Sequence, residues 1–298
     1  MASVVHVIAL VLEDARTAGS LGTQRAGAGV VIGADGLVLT IGYLIMEARE
    51  LHIFDQQGKE YAAEFVAYDH ATGFGLLRTI APMNIKPARL GRSAEPDERG
   101  MAIAASALGA RASSITTVIS RRSFSGGWEY LLDRAIYTSP PIKGFGGAGL
   151  FGADGRLVGI GSLIIGDAAG RGDGIPGNMF VPIDLLKPIL GDLLAYGRST
   201  VPARPWLGFY PVETGDVLSV GRVAPESPAE AAGMRRGDIV LGVGEKPVRD
   251  MEAFYRAVWA MGEAGIEVPL KVLRGDKVSD LKLKSRDRMD WLKLRPSF

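Results

Sequence analysis

Apolar positions along residues 4–80 fall in short runs separated by glycine-containing turns, not at helical spacing. Val4–Leu12 reads as one strand. Gly29–Gly33 and Leu37–Thr40 read as the arms of a hairpin closed by Ala34-Asp35-Gly36, because Asp-Gly between apolar runs is a strong tight-turn signal. Leu51–Phe54 and Tyr61–Tyr68 flank Gln56-Gln57-Gly58 in the same way, and Phe74–Ile80 adds a strand that stops before Pro82. Residues 100–165 repeat the style. Met101–Ala107, Ser114–Ser120 and Ala135–Thr138 are strand candidates, and Leu150–Phe151 and Leu157–Leu163 flank the turn Ala153-Asp154-Gly155. Many short strands at this spacing predict barrels or sandwiches.

The pattern changes at Pro182–Gly197, where Leu185, Leu186, Ile189, Leu190, Leu193 and Leu194 recur at helical spacing behind a candidate cap, Asp184. Residues 199–205, with Pro202 and Pro205, read as a linker between a domain over 1–198 and a second over 206–286. In the second domain Asp216–Val223 and Asp238–Val243 are strands. Ser227-Pro228-Ala229-Glu230 starts a short helix ended by Gly233, and Asp250 caps an amphipathic helix to about Met261. Ile266–Leu273 pairs with Val278–Leu283 around Arg274-Gly275-Asp276. Such a mixture is an α+β module able to fold alone. Residues 287–298 form a tail whose apolar side chains pack back on a domain or mark a contact surface.

Composition narrows the chemistry. The chain has 298 residues, 47% hydrophobic and 22% charged, with 34 basic and 33 acidic side chains. A net charge of +1 supplies no field toward nucleic acid. Cysteine is absent, which excludes disulfides, thiolate nucleophiles and cysteine-ligated metals. Three separated histidines, His6, His52 and His70, make a metal site improbable, and no cofactor is expected. The glycine-rich stretch 166–177 lacks the Gly-Lys-Ser/Thr of a phosphate loop and reads as a surface loop. No apolar stretch is long enough for a transmembrane helix, and Val4–Leu12 has neither the basic start nor the cleavage site of a signal peptide. The chain as it stands reads as cytoplasmic, or as periplasmic if a leader was removed.

Several motifs carry a resemblance that covers nearly the whole chain. Gly27-Ala28-Gly29-Val30-Val31-Ile32 through Asp35-Gly36-Leu37-Val38-Leu39-Thr40, the stretch Thr138–Leu150, and Asp154-Gly155-Arg156-Leu157-Val158-Gly159-Ile160 resemble the protease domain of the bacterial HtrA/DegP family. Ser227-Pro228-Ala229-Glu230-Ala231-Ala232-Gly233-Met234-Arg235-Arg236-Gly237-Asp238-Ile239-Val240 resembles its PDZ domain. The implied fold is mainly β: a chymotrypsin-like double β-barrel followed by an α+β PDZ domain.

The resemblance also marks departures. Thr40-Ile41-Gly42-Tyr43 stands where the family has its catalytic histidine, Asp69-His70-Ala71-Thr72-Gly73 where it has its aspartate, and Gly144-Phe145-Gly146-Gly147 where it has its serine. Tyr43, Gly73 and Gly146 thereby take the places of base, orienting carboxylate and nucleophile. A hydroxyl nucleophile needs a base beside it and an orienting group behind that base. Glycine has no side chain, and a phenol with a pKa near 10 is a poor base at neutral pH. The expectation is a degenerate triad, a pseudoprotease and no enzyme. Backbone amides near Gly144 and Gly146 remain candidate oxyanion-hole donors. His70, beside Asp69, is a candidate relocated base and Ser139 the nearest upstream hydroxyl, each with a plainer reading as a surface or turn residue.

In the PDZ part the resemblance implies a carboxylate-binding loop at Trp206-Leu207-Gly208-Phe209, an adjacent strand through Tyr210, and a facing helix wall with Met251, Phe254, Tyr255 and Val258. Peptides add to such modules as an extra strand, with backbone amides holding the terminal carboxylate. Apolar walls favour an apolar terminal residue, and the alternative is that Trp206 and Phe254 are core. Tyr43, Phe124 and Phe145 are candidates to fill the old protease cleft. The expected function is a scaffold or regulatory subunit that binds a partner protein, a partner enzyme in a hetero-oligomer included, or a peptide C-terminus. The alternatives are a chaperone-like binder of unfolded chains or a residual serine endopeptidase, and a homo-oligomer is open.

Overall fold

The computed structural model describes residues 2–109 and 113–294. The chain divides into two compact units. The first comprises residues up to 122, Arg134–Thr200 and the chain from Lys293; the second comprises Ser123–Asp133 and Val201–Leu292. Residues 123–133, within the 1–198 span of the expected first domain, thus belong to the second unit. Of the expected tail, 287–292 belong to the second unit, and residues 295–298 lie outside the described residues.

The first unit contains β1 (Val4–Val11), α1 (Ala18–Leu21), β2 (Gln24–Val31), β3 (Leu37–Ile41), β4 (Ala48–Phe54), β5 (Glu60–Tyr68) and β6 (Phe74–Thr79). These are followed by β7 (Met101–Ala105), β8 (Ser114–Gly126), β9 (Tyr130–Ser139), β10 (Gly149–Phe151), β11 (Leu157–Ile165), β12 (Gly177–Pro182) and α2 (Leu190–Tyr196). The strands close into two six-stranded barrels, ordered β1-β2-β3-β6-β5-β4 and β10-β11-β12-β9-β8-β7. Closure removes the open edges that isolated sheets present. Val7, Val30, Leu39, Ile53, Leu76 and Leu77 of the first barrel are buried, as are Ala104, Ile136, Leu150, Ile160 and Phe180 of the second. All five residues of β3 are buried, which explains its weak alternation in sequence.

Three elements depart from the sequence expectation. β8 runs six residues past Ser120 and β9 starts five residues before Ala135, because their tip reaches into the second unit. β12 was not anticipated: all its residues are buried, so no polar face betrays a strand. The expected helix over Pro182–Gly197 shrinks to a 3-10 turn, Ile183–Leu185, and α2. Pro188 accounts for this, since it lacks an amide donor and its ring crowds the preceding turn. Asp184 caps no α-helix; its carboxylate takes the Ser93 amide at 2.7 Å while its own amide donates to Ser93 Oγ at 2.8 Å.

The second unit contains β13 (Phe209–Thr214), β14 (Val217–Val223), α3 (Pro228–Ala231), β15 (Ile239–Val243), β16 (Lys246–Pro247), α4 (Met251–Trp259), β17 (Glu267–Arg274) and β18 (Lys277–Lys284). Its sheet runs β13-β14-β15-β17-β18, with β16 paired to β15. Ser227 caps α3 and Asp250 caps α4 through side-chain acceptors, as the sequence indicated. Asp238, 1% exposed, is held by a two-pronged pair with Arg274, both contacts at 2.7 Å. Two parallel contacts of this kind fix geometry as well as charge. Trp291 of the tail lies 4.9 Å from Trp206, ring centroid to centroid, and donates its indole N–H to the Pro225 carbonyl at 2.8 Å.

A buried polar cluster fixes the turn after β3. Arg25, 5% exposed, donates to the carbonyls of Tyr43 and Met46, each at 3.0 Å, and to Thr17 Oγ1 at 2.8 Å. Glu47, 3% exposed, accepts from the Thr17 amide and hydroxyl at 2.9 and 2.6 Å, so Thr17 links the two charges. Removing one member strands the other in a dry site. Arg25→Ala is expected to lower the unfolding free energy by about 3 kcal/mol, measured by urea denaturation. A change within about 0.5 kcal/mol, the range of ordinary surface substitutions, would contradict that role.

Candidate functional site

The three positions marked by the resemblance converge in the first unit. Tyr43 lies in the 3-10 turn Gly42–Leu44 that follows β3. Its hydroxyl donates to the Ser162 carbonyl at 2.9 Å, and burial pushes the phenol well above the ordinary tyrosine value. A Cβ on Gly146 would stand 2.6 Å from the Tyr43 hydroxyl oxygen. The Gly42 amide donates to the Gly73 carbonyl at 2.7 Å, which brings the third position to the same turn. Gly73 has φ +80°, a conformation that a side-chain-bearing residue rarely adopts.

The loop from Gly144 to Ala148 is gripped by both barrels. Gly146 O accepts from the Ala28 amide of β2 at 2.8 Å, and the Gly147 amide donates to Gly161 O of β11 at 2.8 Å. A Cβ on Gly147 would lie 1.8 Å from Ala28 O, and Gly147 has φ +76°, so only glycine fits there. Gly144 O accepts from Ser106 Oγ at 3.1 Å. Tyr43 therefore does fill space beside Gly146, whereas Phe124 belongs to the second unit and packs with Trp128 and Tyr130 at 5.8 and 6.2 Å.

The histidines and Ser139 have structural partners. His6 lies 6.1 Å from the Phe54 ring, and burial lowers its pKa. His52 Nδ1 is 2.6 Å from Glu60 Oε1, and His70 Nδ1 is 2.9 Å from the Tyr68 hydroxyl. Asp69 is taken up by its own turn, accepting from the Thr72 amide at 2.8 Å and hydroxyl at 2.6 Å. Ser139 Oγ donates to the Pro176 carbonyl at 2.8 Å.

In the second unit the residues that the resemblance assigns to a peptide groove are gathered, and the hairpin tip between β8 and β9 lies against them. Leu207, Phe209, Phe254, Tyr255 and Val258 share one core with Leu131. Phe209 and Phe254 lie 5.4 Å apart, so part of the expected wall is core packing. Tyr210 carries Arg222 over its ring at 3.8 Å, Met251 lies partly buried at the start of α4, and Trp206 packs on Trp291. The amides of Leu207 and Gly208, expected to stand ready for a peptide carboxylate, donate instead to Glu129 at 2.9 and 2.6 Å. Gly208, at φ +83°, turns the backbone so that consecutive amides face one acceptor.

Sequence reading missed Glu129, which sits at the turn between β8 and β9 and is 4% exposed. Burial raises its pKa to about 7, against the Leu207, Gly208 and Phe209 amides and the Arg288 guanidinium, which all lower it. The Tyr255 phenol is the other titratable group beside it, and burial and the Glu129 charge both raise that phenol. A value above the free carboxyl's 4.5 means that the seated form holds its proton longer. The stability contributed by this carboxyl is thus full below about pH 4.5, falls as pH rises, and levels off above about pH 7. Urea unfolding of the wild-type and Glu129→Gln proteins between pH 4 and 8 is expected to show their stability difference moving against the wild type across that window. A difference independent of pH would refute it.

Residues 27–160 match the family described as trypsin-like peptidase domain, and residues 205–284 match the PDZ domain. The chain is 28% identical over 279 residues to a putative serine protease HhoA of Synechocystis, covering 84% of this chain and 68% of that protein. It is 30% identical to a probable periplasmic serine endoprotease DegP-like of Halomonas elongata, covering 84% and 54% respectively. The periplasmic pH-dependent serine endoprotease DegQ of Escherichia coli is 26% identical, with 87% of this chain and 59% of that protein covered. The chain thus spans about half to two thirds of the length of these curated relatives. Among solved structures, an HtrA-type protease AlgW with tripeptide has the same fold at a TM-score of 0.56 and 20% identity, covering 100% of this chain and 95% of that one. A serine endoprotease from Yersinia pestis gives 0.52 at 24% identity, with 96% and 94% covered. The chain is a homologue of the HtrA/DegP-like serine proteases, in which a trypsin-type domain is followed by a C-terminal PDZ domain.

Proposed function

We propose that this protein is a non-catalytic member of that group, a scaffold or regulatory subunit whose PDZ-type unit binds a partner protein or a peptide C-terminus. The observation that carries this reading is the contact between Gly146 and Tyr43. Where the resemblance places the nucleophile there is no side chain, and a Cβ there would stand 2.6 Å from the Tyr43 hydroxyl oxygen, so one could enter only if that ring moved. The hydroxyl itself is committed to the Ser162 carbonyl. Loss of either the nucleophile or the base can cost about a million-fold in turnover. The names of several relatives favour a periplasmic location for this protein too. A bound partner enzyme and a homo-oligomer are both compatible with the scaffold role.

A residual serine endopeptidase is the second reading, and the relatives' names, serine proteases and endoproteases, favour it over the first. The residues at positions 43, 73 and 146, a tyrosine and two glycines, favour the first. A chaperone-like binder of unfolded chains is the third, and it too needs no nucleophile.

Treatment of the purified protein with a fluorophosphonate probe and fluorescein-labelled casein separates these readings. The expected result is no labelled serine and hydrolysis at the buffer rate. Labelling of one serine, with hydrolysis abolished by its alanine substitution, would establish the endopeptidase. Gly146→Ser alone is expected to restore nothing, because its side chain collides with Tyr43; measurable cleavage by that variant would overturn the geometric argument.

A further inference from the structure

Glu129 does not reach the Leu207–Gly208 amides alone. The whole hairpin tip Ser123–Asp133 lies against the two walls that the sequence assigns to the groove. On the strand side, a Cβ on Gly127 would stand 2.8 Å from the Pro211 carbonyl of β13, so backbone meets backbone too closely for any side chain. On the helix side, Ser123 Oγ donates to Glu252 at 2.6 Å, Tyr255 Oη donates to the Gly126 carbonyl at 2.8 Å, and Arg256 pairs with Asp133 at 2.6 Å. Residues 252, 255 and 256 lie on one face of α4 at the i, i+3, i+4 spacing. Arg288 donates to the Trp128 carbonyl, and Leu131 is buried in the unit's core. Glu129 takes up φ +59°, a strained setting for a residue with a side chain, and that backbone points its carboxyl to the loop.

We propose that the hairpin tip is an internal ligand of the PDZ-type unit, with the Glu129 carboxylate seated where the terminal carboxylate of a bound peptide would sit, so that a free C-terminus enters only when the hairpin is displaced. A carboxylate presented to consecutive backbone amides is the chemistry that such a groove takes, and this chain supplies one from within. The internal ligand has a high effective concentration because it is covalently tethered, so a competing peptide faces a reduced apparent affinity. The proposal rests on the reading of the second unit as a peptide-binding module, and the test separates failure of the two.

The full chain is compared with Glu129→Ala and Glu129→Gln in two measurements. Hydrogen exchange over residues 206–210 reports whether the loop amides are occupied. Capture on an immobilised pool of hexapeptides, carrying every residue type at a free C-terminus and matched by the same pool amidated, reports whether the groove accepts a carboxylate. The expected result is slow exchange and background capture in the wild type, and faster exchange in Glu129→Ala. That variant is also expected to gain at least about tenfold in capture of free but not amidated termini. Tyr255→Phe, which removes the hydrogen bond to Gly126 but leaves the two amides that hold the Glu129 carboxylate, is expected to move both readouts in the same direction by less. Wild-type capture equal to that of Glu129→Ala, or amides still protected in that variant, would overturn the internal ligand. Amides freed in Glu129→Ala with no capture of any peptide would overturn the peptide-binding reading and leave the hairpin as a structural plug.

Discussion

The arrangement in the first unit depends on one close backbone approach, between Ala28 of β2 and Gly146-Gly147 of the loop before β10. The Ala28 amide donates to Gly146 O, and the Ala28 carbonyl comes so near Gly147 that a methyl group there would overlap it. That fit requires glycine in the left-handed region at 147 and a tight turn around it. Everything nearby is set by this seam. Thr40 Oγ1 donates to the same Ala28 carbonyl at 2.6 Å, which pins the end of β3 and so the turn that carries Tyr43. Arg25 holds the carbonyl side of that turn from below. Tyr43 is thus placed by backbone contacts on both sides, and its ring occupies the room that the missing side chain at 146 leaves.

The second unit answers a different constraint, the cost of burying a charge. A carboxylate taken out of water needs several donors to make up its lost hydration. The Leu207 and Gly208 amides do so for Glu129, because Gly208 turns the chain to present them together. Burial still outweighs the donors, which is why the pKa rises. Tyr255, Arg256 and Arg288 add neutral and charged contacts along the hairpin that spread the attachment over many groups.

The sequence made the barrels and the α+β unit readable because their signals are local. Asp-Gly turns at 35–36 and 154–155 sit between apolar runs, and Ser227 and Asp250 stand where a cap is needed. The elements that escaped were those without a local signature. β12 is apolar on both faces, and Pro188 breaks an apparently helical repeat of leucines. The end of β8 carries Arg121, Arg122, Ser123 and Ser125 beside Phe124, a mixture with no apolar stripe, and Ser123 finds its partner, Glu252, 129 residues further along the chain. Arg25 and Glu129 look in sequence like ordinary surface charges; only tertiary contacts 18 to 79 residues away reveal them as buried.

On the proposed readings of both units, a group of the chain itself stands in for a ligand. The Tyr43 phenol lies beside Gly146, the position that the resemblance aligns with the family's serine, and the Glu129 carboxylate is proposed to take the place of a peptide terminus at Leu207–Gly208. The two differ in how they are held. Tyr43 sits in the 3-10 turn after β3, a turn tied down by Arg25, and its hydroxyl is bonded to the Ser162 carbonyl of β11. Glu129 is held chiefly through its carboxylate by two consecutive backbone amides, the donors that a free terminal carboxylate also uses. On the proposed reading a response to a partner is therefore expected to enter through the PDZ-type unit.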